Sequence, residues 1–551
     1  MLMAIITTSR LPSPGSGADT ETIERALPAA CRAAPAEGRD RDPGSRGAKS
    51  VRIKEHCDVV VVGGGSAALE TAVAARQAGA ERVVMVEKAP ESESGGNARF
   101  SSTGFRFVYS GPDEIRDLVG DMDDETYARI VVPPYTVDDF MADLNRVTEG
   151  LIDQNLAMAI AGDSNEAIHW TRELGIRWKL HMNVVVDNKI HFEPGVVIHP
   201  VGGGLGQLKI WREIATGMGV EIRYDSPVSA LLGDRHRVEG VSVSTADQIY
   251  DLYADAVILC AGGFQANQEM RARYLAGNPD MMKVRGTRHD TGEVLRMALD
   301  LGARSAGHWK GAHLAPLDGA SPRFEVPVGK DGMGSWTKRY SYPLGITVNK
   351  FGQRFYDEGE AHFSYTYAKS GRFILEQAGG VAYQIFDGTT IPHIYRHDSE
   401  HLELKFEADT LRELARKIGV NADVLEATVA EFNQAVSDDR PFDPTKRDGR
   451  HTVGIDPPKT NWASRIEKPP FRAYPVTGGI AFTFGGLEIT ADGQVVAITG
   501  HPIPGLYAVG DITGIFFHNY PSCSGQTRNA VFARRTTRHA VASRSNEARV
   551  A

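Results

Sequence analysis

Cysteine is scarce in this chain: four of the 551 residues are cysteine. They are Cys31, Cys57, Cys260 and Cys523, and no two of them form a C-x-x-C pair. This spacing excludes a cysteine-ligated cluster and a disulfide framework, and no metal site of another kind is predicted. A few scattered thiols suit a reducing compartment, so we expect a cytoplasmic protein.

The chain also lacks a long apolar run and a dense basic tract. No apolar stretch approaches the roughly 18 residues that a membrane-spanning helix needs, and the start, MLMAIITTSR, is a poor secretory signal because no positive residue precedes its apolar stretch. The net charge of -9 argues against nucleic acid or an anionic membrane as the main partner. Residues 1–54 are crowded with Pro, Gly, Ser and Ala, which predicts a disordered tail.

Residues 57–88 read CDVVVVGGGSAALETAVAARQAGAERVVMVEK. Asp58–Val62 is an apolar run of strand length, typical of a strand buried on both faces of a parallel sheet. Ser66–Ala78 is rich in alanine, which favours a helix packed closely on that sheet, and Arg82–Glu87 is a second buried-strand pattern. Together these segments predict a β-α-β unit of about 30 residues.

The turn between the first strand and the helix has the pattern Gly63-x-Gly65-x-x-Ala68. Gly63 permits a tight turn, Gly65 lets the backbone approach a pyrophosphate, and Ala68 keeps the helix near the strand. The N–H groups at the start of the helix favour the phosphate charge. Glu87 ends the second strand, where a carboxylate accepts from both ribose hydroxyls and repels a 2′-phosphate. The pattern predicts a dinucleotide other than NADP, with an ordinary tight turn as the less favoured alternative.

The end of the chain bears on which dinucleotide is bound. GLYAVGDITG (505–514) is another buried-strand pattern, and it ends at Gly510 and Asp511, more than 400 residues after the first glycines. A ligand that needs both ends of the chain is long, and Asp511 is placed to accept from a polyol. We therefore expect FAD, whose ribityl chain needs such an acceptor, rather than NAD.

The rest of the chain shows strand and helix patterns without an obvious repeat. Recurring apolar positions predict helices within 134–176, and the turn patterns predict strand, turn and strand over 220–243. Residues 254–267 resemble another buried strand that runs into two glycines, residues 345–359 resemble a hairpin with its turn near 350–352, and residues 525–540 are a plausible helix.

In combination, these segments resemble the fumarate reductase/succinate dehydrogenase flavoprotein superfamily over residues 57 to about 540. The residues that carry the resemblance are the glycine turn, Glu87–Lys88, Gly95–Asn97, AGGFQAN (261–267), DTGEVLRMA (290–298) and Gly510–Asp511. The resemblance implies an α/β fold with a Rossmann-like FAD-binding domain from both chain ends, 55–305 and 475–545, and an inserted α+β capping domain, 306–474. Within that group the chain is most similar in appearance to FAD-dependent tricarballylate dehydrogenases, through WKGAH (309–313), RFYDEG (354–359) and Tyr520–Pro521.

The resemblance also assigns cofactor contacts to individual positions. The residues predicted to bind FAD are Gly63, Gly65, Ser66, Ala67, Ala68, Glu87, Lys88, Gly96, Asn97, Ser102, Thr103, Gly104, Val228, Ala261, Gly262, Gly263, Gly510, Asp511, Ser524, Gly525 and Thr527.

The catalytic positions depart from the fumarate reductase pattern. Those enzymes clamp a carboxylate with a His before a T-x-G-G turn and an Arg before the final glycines, and here Phe482 and Ser522 stand at those positions. Of the clamp only His313 is left, so a fumarate-type dicarboxylate site is disfavoured. Burying a carboxylate without its charged partners costs on the order of several kcal/mol.

A different set of groups is expected in its place. His362, eight residues after Arg354, takes the position of the proton-delivering residue, and YPSCSG (520–525) is similar to the turn by which ketosteroid dehydrogenases hold a ketone oxygen. That similarity implies that Tyr520 and the N–H of Ser524 polarise a carbonyl, while His313 orients the substrate. The alternative is that these residues have structural roles only: His362 as an ordinary loop histidine, His313 as a cap of local backbone and Tyr520 as a core tyrosine.

These residues predict an FAD-dependent oxidoreductase that acts on a CH–CH bond next to a carbonyl or carboxyl group, with hydride passing through flavin N5 and a proton through His362. The small-molecule substrate and the direction are open, and electrons must pass to oxygen, a quinone or a separate redox protein. The alternatives are a tricarballylate- or fumarate-type enzyme and a flavoprotein electron carrier without an organic substrate. Tyr365 and Tyr367 alternate in what is predicted to be a strand or loop, so at most one of them should face the substrate.

Overall fold

The computed structural model describes residues 53–181, 184–325, 337–395 and 404–550. The predicted disordered tail therefore lies almost wholly outside the described residues. The α-helices are α1 (Ser66–Gln77), α2 (Pro112–Val119), α3 (Asp124–Arg129), α4 (Val137–Thr148), α5 (Gln154–Gly162), α6 (Ser164–Glu173), α7 (Gly203–Gly217), α8 (Gln268–Tyr274), α9 (Glu293–Leu301), α10 (Phe363–Leu375), α11 (Leu411–Ile418), α12 (Ala422–Ala435) and α13 (Ser524–Val550). None of the helices described is long and apolar enough to cross a bilayer.

The strands form two large sheets and three small ones. They are β1 (Ile53–Val62), β2 (Val83–Val86), β3 (Ile130–Val131), β4 (Trp178–Leu180), β5 (Val184–Val186), β6 (Lys189–His191), β7 (Ile198–Pro200), β8 (Glu221–Arg223), β9 (Val228–Asp234), β10 (Arg237–Ser244), β11 (Ile249–Leu259), β12 (Lys283–Val284), β13 (Ser305–Ala306), β14 (Ala312–Asp318), β15 (Ile346–Asn349), β16 (Val381–Phe386), β17 (Phe406–Ala408), β18 (Phe471–Thr483), β19 (Gly486–Leu487), β20 (Gln494–Val496) and β21 (Pro502–Ala508).

The first large sheet has the order β20-β21-β11-β1-β2-β8, and β1 runs parallel to both of its neighbours. Its central strand is buried on both faces, as an unbroken valine run requires. Helix α1 packs on the sheet through alanines that are fully buried, including Ala68 and Ala72. The predicted β-α-β unit is confirmed, with each element within a few residues of its expected bounds.

The end of the chain joins this same sheet. Strand β21 lies parallel to β11, with Leu506 opposite Val257, and helix α13 follows it. The Asn529 side chain on α13 donates to the Ser66 hydroxyl at the start of α1, at 3.2 Å. The predicted late strand and terminal helix are both present, and together they bring the two ends of the chain to one edge of the sheet.

The second large sheet is built around β18, which pairs antiparallel with β14, β16 and β17 and parallel with β12. The expected α/β class with a second, capping sheet is thus present. The strands of this sheet extend from Lys283 to Thr483, beyond both ends of the 306–474 segment. Those domain boundaries stay a prediction.

Other segments follow the sequence patterns to different degrees. Helices α4, α5 and α6 occupy the region predicted to be helical, and β9 pairs antiparallel with β10. The predicted hairpin at 345–359 differs, because β15 turns at Lys350 but only one bridge, between Val348 and Arg354, joins it to the returning segment. Beyond this bridge the returning segment leaves the strand pairing, and its Arg354 side chain pairs with a buried carboxylate.

The partner of Arg354 is Glu358, and the pair is almost fully shielded from water. The guanidinium lies 2.6 Å from the Glu358 carboxylate, which also accepts the N–H of Thr347 at 2.7 Å. The Lys459 ammonium is 3.9 Å from the same carboxylate and donates to the Gly345 carbonyl at 2.8 Å. These charges lower the pKa of Glu358 against the effect of burial. The RFYDEG segment (354–359) therefore has a structural role, because its buried ion pair fixes the chain before α10.

Replacing Glu358 with Ala should leave Arg354 and Lys459 buried without their counter-charge. We expect the free energy of unfolding to fall by about 3–5 kcal/mol, measured by urea denaturation. Glu360→Ala is the matched control, because Glu360 is half-exposed and pairs with Lys369 at the surface, where the loss should stay within about 1 kcal/mol. Equal effects of the two substitutions would contradict this assignment.

Candidate functional site

A cavity of about 1030 Å³ lies at the carboxyl ends of the parallel strands and reaches the second sheet. This is where open α/β sheets bind ligands. Residues from β1, β2 and the end of β11 line one part, and residues from β14 and β18 line the other. The predicted cofactor residues that line it are Gly63, Gly65, Ser66, Ala67, Glu87, Lys88, Gly96, Asn97, Ser102, Thr103, Gly104, Val228, Ala261, Gly262, Asp511 and Gly525.

Some predicted cofactor residues do not line the cavity. Ala68 is fully buried within the interface of α1. Gly263 faces Thr483, whose hydroxyl would lie 2.3 Å from an added Cβ. The Thr527 hydroxyl donates to the backbone carbonyl of Arg106. These three positions serve packing around the cavity, and the sequence motif could not separate that role from ligand contact.

Gly510 and Ser524 are also set back from the cavity. Gly510 has a φ of +93°, and a Cβ there would lie 2.9 Å from that of Ala67. The backbone N–H of Ser524 donates to the Pro521 carbonyl at 3.2 Å, and its hydroxyl donates to the same oxygen at 2.6 Å. The role predicted for the Ser524 N–H is therefore not available, because the turn that starts α13 uses that donor itself.

The glycine turn tests whether the cavity fits a dinucleotide. Gly63 has a φ of +125°, and an added Cβ would lie 2.4 Å from the Cys260 carbonyl oxygen, so the protein itself requires glycine there. At Gly65 the nearest atoms to an added Cβ, in Gly95 and Gly96, are 3.8 Å away. An added Cβ at Gly65 would therefore be in ordinary van der Waals contact, so the protein's own packing does not require glycine at this position, directly before the first N–H groups of α1. This is the arrangement in which backbone can approach a pyrophosphate.

Glu87 lies beside the same turn. Its carboxylate oxygen would be 2.5 Å from a Cβ at Gly64, and it accepts the N–H of Ala89 at 2.7 Å. Burial raises the pKa of Glu87. The neighbouring Lys88 pairs with Glu293 on α9 at 2.9 Å. The carboxylate thus faces the cavity from the end of β2, where ribose hydroxyls would meet it.

Asp511 lies near the opposite end of the chain from the glycine turn, directly after Gly510. It pairs with the buried guanidinium of Arg528 on α13. That guanidinium lies over the rings of Phe482 and Phe516, at 6.0 Å and 5.5 Å from their centroids. The contact links the cofactor end of the cavity to an aromatic chamber at its other end.

The aromatic chamber is built around His313 on β14. The centroid of its ring is 5.1 Å from that of Tyr367, 5.4 Å from that of Phe482 and 5.3 Å from that of Tyr520. The hydroxyl oxygens of Tyr367 and Tyr520 are 2.9 Å apart. The structure therefore brings two of the predicted catalytic residues together and adds a third aromatic group, Tyr367.

Burial sets the protonation of this chamber. It lowers the pKa of His313 to about 3, so the imidazole is neutral at neutral pH. It raises the pKa of Tyr367 and Tyr520, so both phenols keep their protons. These three side chains consequently offer neutral donors and acceptors rather than charges.

Tyr367 lies on α10, not on a strand or loop. Both it and Tyr365 line the cavity, although the predicted strand or loop alternation would have put them on opposite sides, and which of them faces the substrate stays a prediction. Both line it because the cavity wraps around the first turns of the helix, so side chains on two sides of α10 reach it. Period-2 alternation in so short a segment did not distinguish a strand from a helix start.

His362 is the N-cap residue of α10. Its Nδ1 lies 2.8 Å from the Ser364 hydroxyl and 3.4 Å from the Ser364 backbone N–H. Burial lowers the pKa of His362 to about 4, so it is a neutral imidazole that lines the cavity. Burial raises the pKa of the nearby Glu193 carboxyl, and the positive charge of Arg106 opposes that rise.

Glu193 and Arg106 form a buried ion pair that no sequence pattern predicted. Arg106 also bonds the Asp143 carboxylate and the Ser522 carbonyl, each at 2.9 Å, and the Ser522 hydroxyl donates to Glu193. The only sequence signal for Arg106 is a charge inside the aromatic alternation FRFVY. Within the described residues no group of three or more His, Cys, Asp or Glu side chains forms a candidate metal site.

Comparison with known proteins agrees with this geometry. The family model described as "FAD binding domain" matches residues 58–527. A probable fumarate reductase of Shewanella frigidimarina is 28% identical over 485 residues, which cover 86% of this chain and 72% of the relative. A 4-oxocyclohex-2-ene-1-carboxylate 5-dehydrogenase of Sinomonas cyclohexanicum is 30% identical over 336 residues, 55% of this chain and 53% of the relative.

A solved structure shares the architecture. The open conformation of a flavocytochrome c3 fumarate reductase has a TM-score of 0.64 and 26% sequence identity, and the match covers 89% of this chain and 78% of that one. Because the family model covers most of the chain, and because the glycine turn at 63–65 and residues within 511–529 line one cavity, the protein belongs to the FAD binding domain family and is an FAD-dependent oxidoreductase of the fumarate reductase/succinate dehydrogenase flavoprotein group.

Proposed function

We propose that this enzyme oxidises or reduces a CH–CH bond next to the carbonyl of a small ring-shaped substrate. The hydroxyl contact between Tyr367 and Tyr520, inside a chamber of aromatic rings, carries the proposal. Flat rings pack well on aromatic side chains, and a buried phenol is suited to bind a carbonyl oxygen. An electron carrier without an organic substrate has no use for such a chamber.

The cofactor would lie along the glycine turn, with its pyrophosphate at the start of α1, its ribose at Glu87 and its polyol near Asp511. When bound, FAD accepts or returns a hydride at a substrate carbon. The chain supplies the rest: it holds the cofactor between its two ends, and it keeps water from the chamber with buried rings. The cofactor contacts of Ser102, Thr103, Gly104 and Val228 belong to the same proposal.

The two phenols can supply a single donor to the substrate. Each tyrosine carries one O–H, so when one hydroxyl donates to the other, only the second keeps a proton for a ligand. If Tyr367 donates to Tyr520, the Tyr520 proton is left for the substrate carbonyl. That donor stabilises the negative charge that develops on oxygen when the neighbouring C–H loses its proton.

His362 would take or give that proton. Nδ1 of His362 accepts the backbone N–H of Ser364 at 3.4 Å, and the Ser364 hydroxyl lies 2.8 Å from the same nitrogen. An accepting Nδ1 leaves the proton of the neutral imidazole on Nε2, as in other sites where a second group fixes the histidine tautomer. Nε2 is then the nitrogen that would exchange a proton with the substrate. Ser364 thus acts as a positioning residue for the imidazole.

The relatives support this proposal in part. The Sinomonas relative is named for a substrate that combines a ring ketone with a carboxylate, and the Shewanella relative is named for fumarate. A polycarboxylate is the second candidate. The fumarate reductases among the relatives favour fumarate, whereas none of the relatives described above is a tricarballylate dehydrogenase, so tricarballylate is supported only by the sequence resemblance of segments such as WKGAH. Phe482 and Ser522 speak against it, because neither can clamp a carboxylate by charge. Oxygen, a quinone or a redox protein remains the proposed electron acceptor, and a cytoplasmic location remains a prediction.

Glu87→Arg should remove the ribose contact and place a cation in a buried site. We expect the purified variant to lose its bound FAD, measured from the flavin absorbance per polypeptide. Glu81→Arg is the control, because Glu81 is exposed just before β2 and does not line the cavity. A fully yellow Glu87→Arg protein would show that the adenosine lies elsewhere.

His362→Asn should keep the helix N-cap, since Asn caps well, but lose the proton-transfer group. We expect substrate-dependent flavin reduction to slow at least about a hundredfold with FAD still bound. In the unsubstituted enzyme the rate should stay constant between about pH 6 and 8, because the pKa of His362 is lowered to about 4. A normal rate in His362→Asn would remove His362 from the mechanism.

Tyr520→Phe should slow the same reaction by about ten- to a thousandfold, because the donor to the carbonyl oxygen is lost. Tyr342→Phe is its control, since the Tyr342 hydroxyl is buried against Thr366 on α10 and does not line the cavity. Both rates are read by stopped-flow absorbance under anaerobic conditions with a panel of cyclic ketones. Equal rates in the two variants would refute the role of Tyr520.

A further inference from the structure

Arg285 follows β12 and lies where the two sheets meet at the cavity. Its backbone N–H donates to the Ile480 carbonyl on β18 at 2.8 Å, which fixes the segment, and its side chain lines the cavity. The Nε atom is buried and has no hydrogen-bond partner. Across the part of the chain that the structure describes, no carboxylate pairs with this guanidinium.

The anionic groups of the cavity are already engaged. Each carboxylate that lines it has a partner within the protein: Glu87 with the Ala89 N–H, Glu93 with His289, Glu193 with Arg106, Asp290 with Gln265, Glu293 with Lys88 and Asp511 with Arg528. None of these groups is left to neutralise Arg285. A cation with a buried donor and no counter-charge is costly unless a ligand supplies the anion.

His313 provides a second, independent sign of a missing ligand. The residue is 2% exposed, it lines the cavity, and its buried Nδ1 has no hydrogen-bond partner. Arg285 and His313 are neighbours across β18, because the Arg285 N–H donates to the Ile480 carbonyl and Leu314, next to His313, pairs with Ile480 from the other side. Burial is the main cause of the low pKa of His313, and the positive charge of Arg285 lowers it further. The same charge opposes the rise that burial causes in the pKa of Tyr520.

We propose that Arg285 and His313 together form a subsite for a carboxylate of the substrate, and that the substrate carries this carboxylate and the carbonyl held by Tyr520 on one compact ring. This inference rests on the proposed function. The His313 and Tyr520 rings are 5.3 Å apart, so the carboxylate and the carbonyl must belong to one small molecule. Neutral His313 donates one hydrogen bond, and the planar guanidinium of Arg285 donates two in the geometry that suits a carboxylate.

The subsite differs from a clamp built on the T-x-G-G turn and the final glycines. Arg285 comes from the strand end that precedes α9, and it approaches the chamber beside Ile480. The loss of charge at Phe482 and Ser522 therefore does not make the chamber neutral. It moves the cation to another wall of the cavity.

The substrate class can be tested with three related ketones. Holoenzyme is mixed anaerobically with 4-oxocyclohexane-1-carboxylate, its methyl ester or cyclohexanone, and the concentration dependence of flavin bleaching gives an apparent dissociation constant for each. We expect the keto acid to bind most tightly. In Arg285→Gln its apparent dissociation constant should rise about ten- to a hundredfold, while that of the ester stays within about twofold.

Arg288→Gln is the matched control. Arg288 is three residues further along the same segment, does not line the cavity, and forms two hydrogen bonds with Glu325 at 2.8 and 2.7 Å. Its substitution removes one positive charge from the same segment and should change none of the three constants. Arg285→Lys should recover part of the affinity for the keto acid, because it restores the charge without the planar fork.

A binding measurement in which no reaction takes place distinguishes a failure of this inference from a failure of the proposed function. Cyclohexanecarboxylate, which has no carbonyl to activate, should perturb the flavin absorbance of the holoenzyme and should lose that effect in Arg285→Gln but not in Arg288→Gln. If no ketone bleaches the flavin while this difference persists, the proposed function fails and the carboxylate subsite stands.

Three results would overturn the subsite. The first is equal affinity for the keto acid and its ester in the unsubstituted enzyme. The second is an equal effect of Arg285→Gln and Arg288→Gln on the keto acid. The third is loss of FAD from Arg285→Gln, measured as flavin per polypeptide, which would assign the guanidinium to the cofactor instead.

Discussion

The parallel pairing of β21 with β11 is the constraint on which the site depends. It places a strand from the end of the chain beside a strand that itself borders β1, so residues more than 400 positions apart meet at one sheet edge. The Asn529 to Ser66 hydrogen bond then holds α13 against the start of α1. Without this pairing the glycine turn, Asp511 and Tyr520 would not share a cavity.

Much of the nucleotide-binding half could be predicted from sequence, because it depends on local patterns. The valine run of β1, the alanines of α1 and the φ of Gly63 are each fixed by burial or by backbone geometry over a few residues. The meeting of the two chain ends was also predictable, because a second strand-then-glycine pattern recurs near Gly510. Family resemblance added His313, His362 and Tyr520, which the structure places around the same cavity.

The chamber was less predictable because it depends on contacts between distant segments. Tyr367 becomes important only through its contact with Tyr520, 153 positions away. The Ser524 N–H was assigned to a ligand, yet the local turn uses it for the Pro521 carbonyl. Arg285 belongs to none of the motifs used to predict the site, and it is recognised only by its place on the cavity wall together with a buried Nε that has no partner among the described residues. Such features depend on tertiary packing and leave no periodicity in the sequence.

Because His362 stands at the beginning of α10 and also lines the cavity, its imidazole has both a structural and a chemical requirement to meet. Its Nδ1 side faces the first turn of the helix that carries Tyr365 and Tyr367, while the rest of the ring faces the cavity. A replacement at this position consequently has to meet both requirements, because a side chain that suits the reaction but cannot accept a hydrogen bond would leave the Ser364 N–H at the start of the helix without its cap.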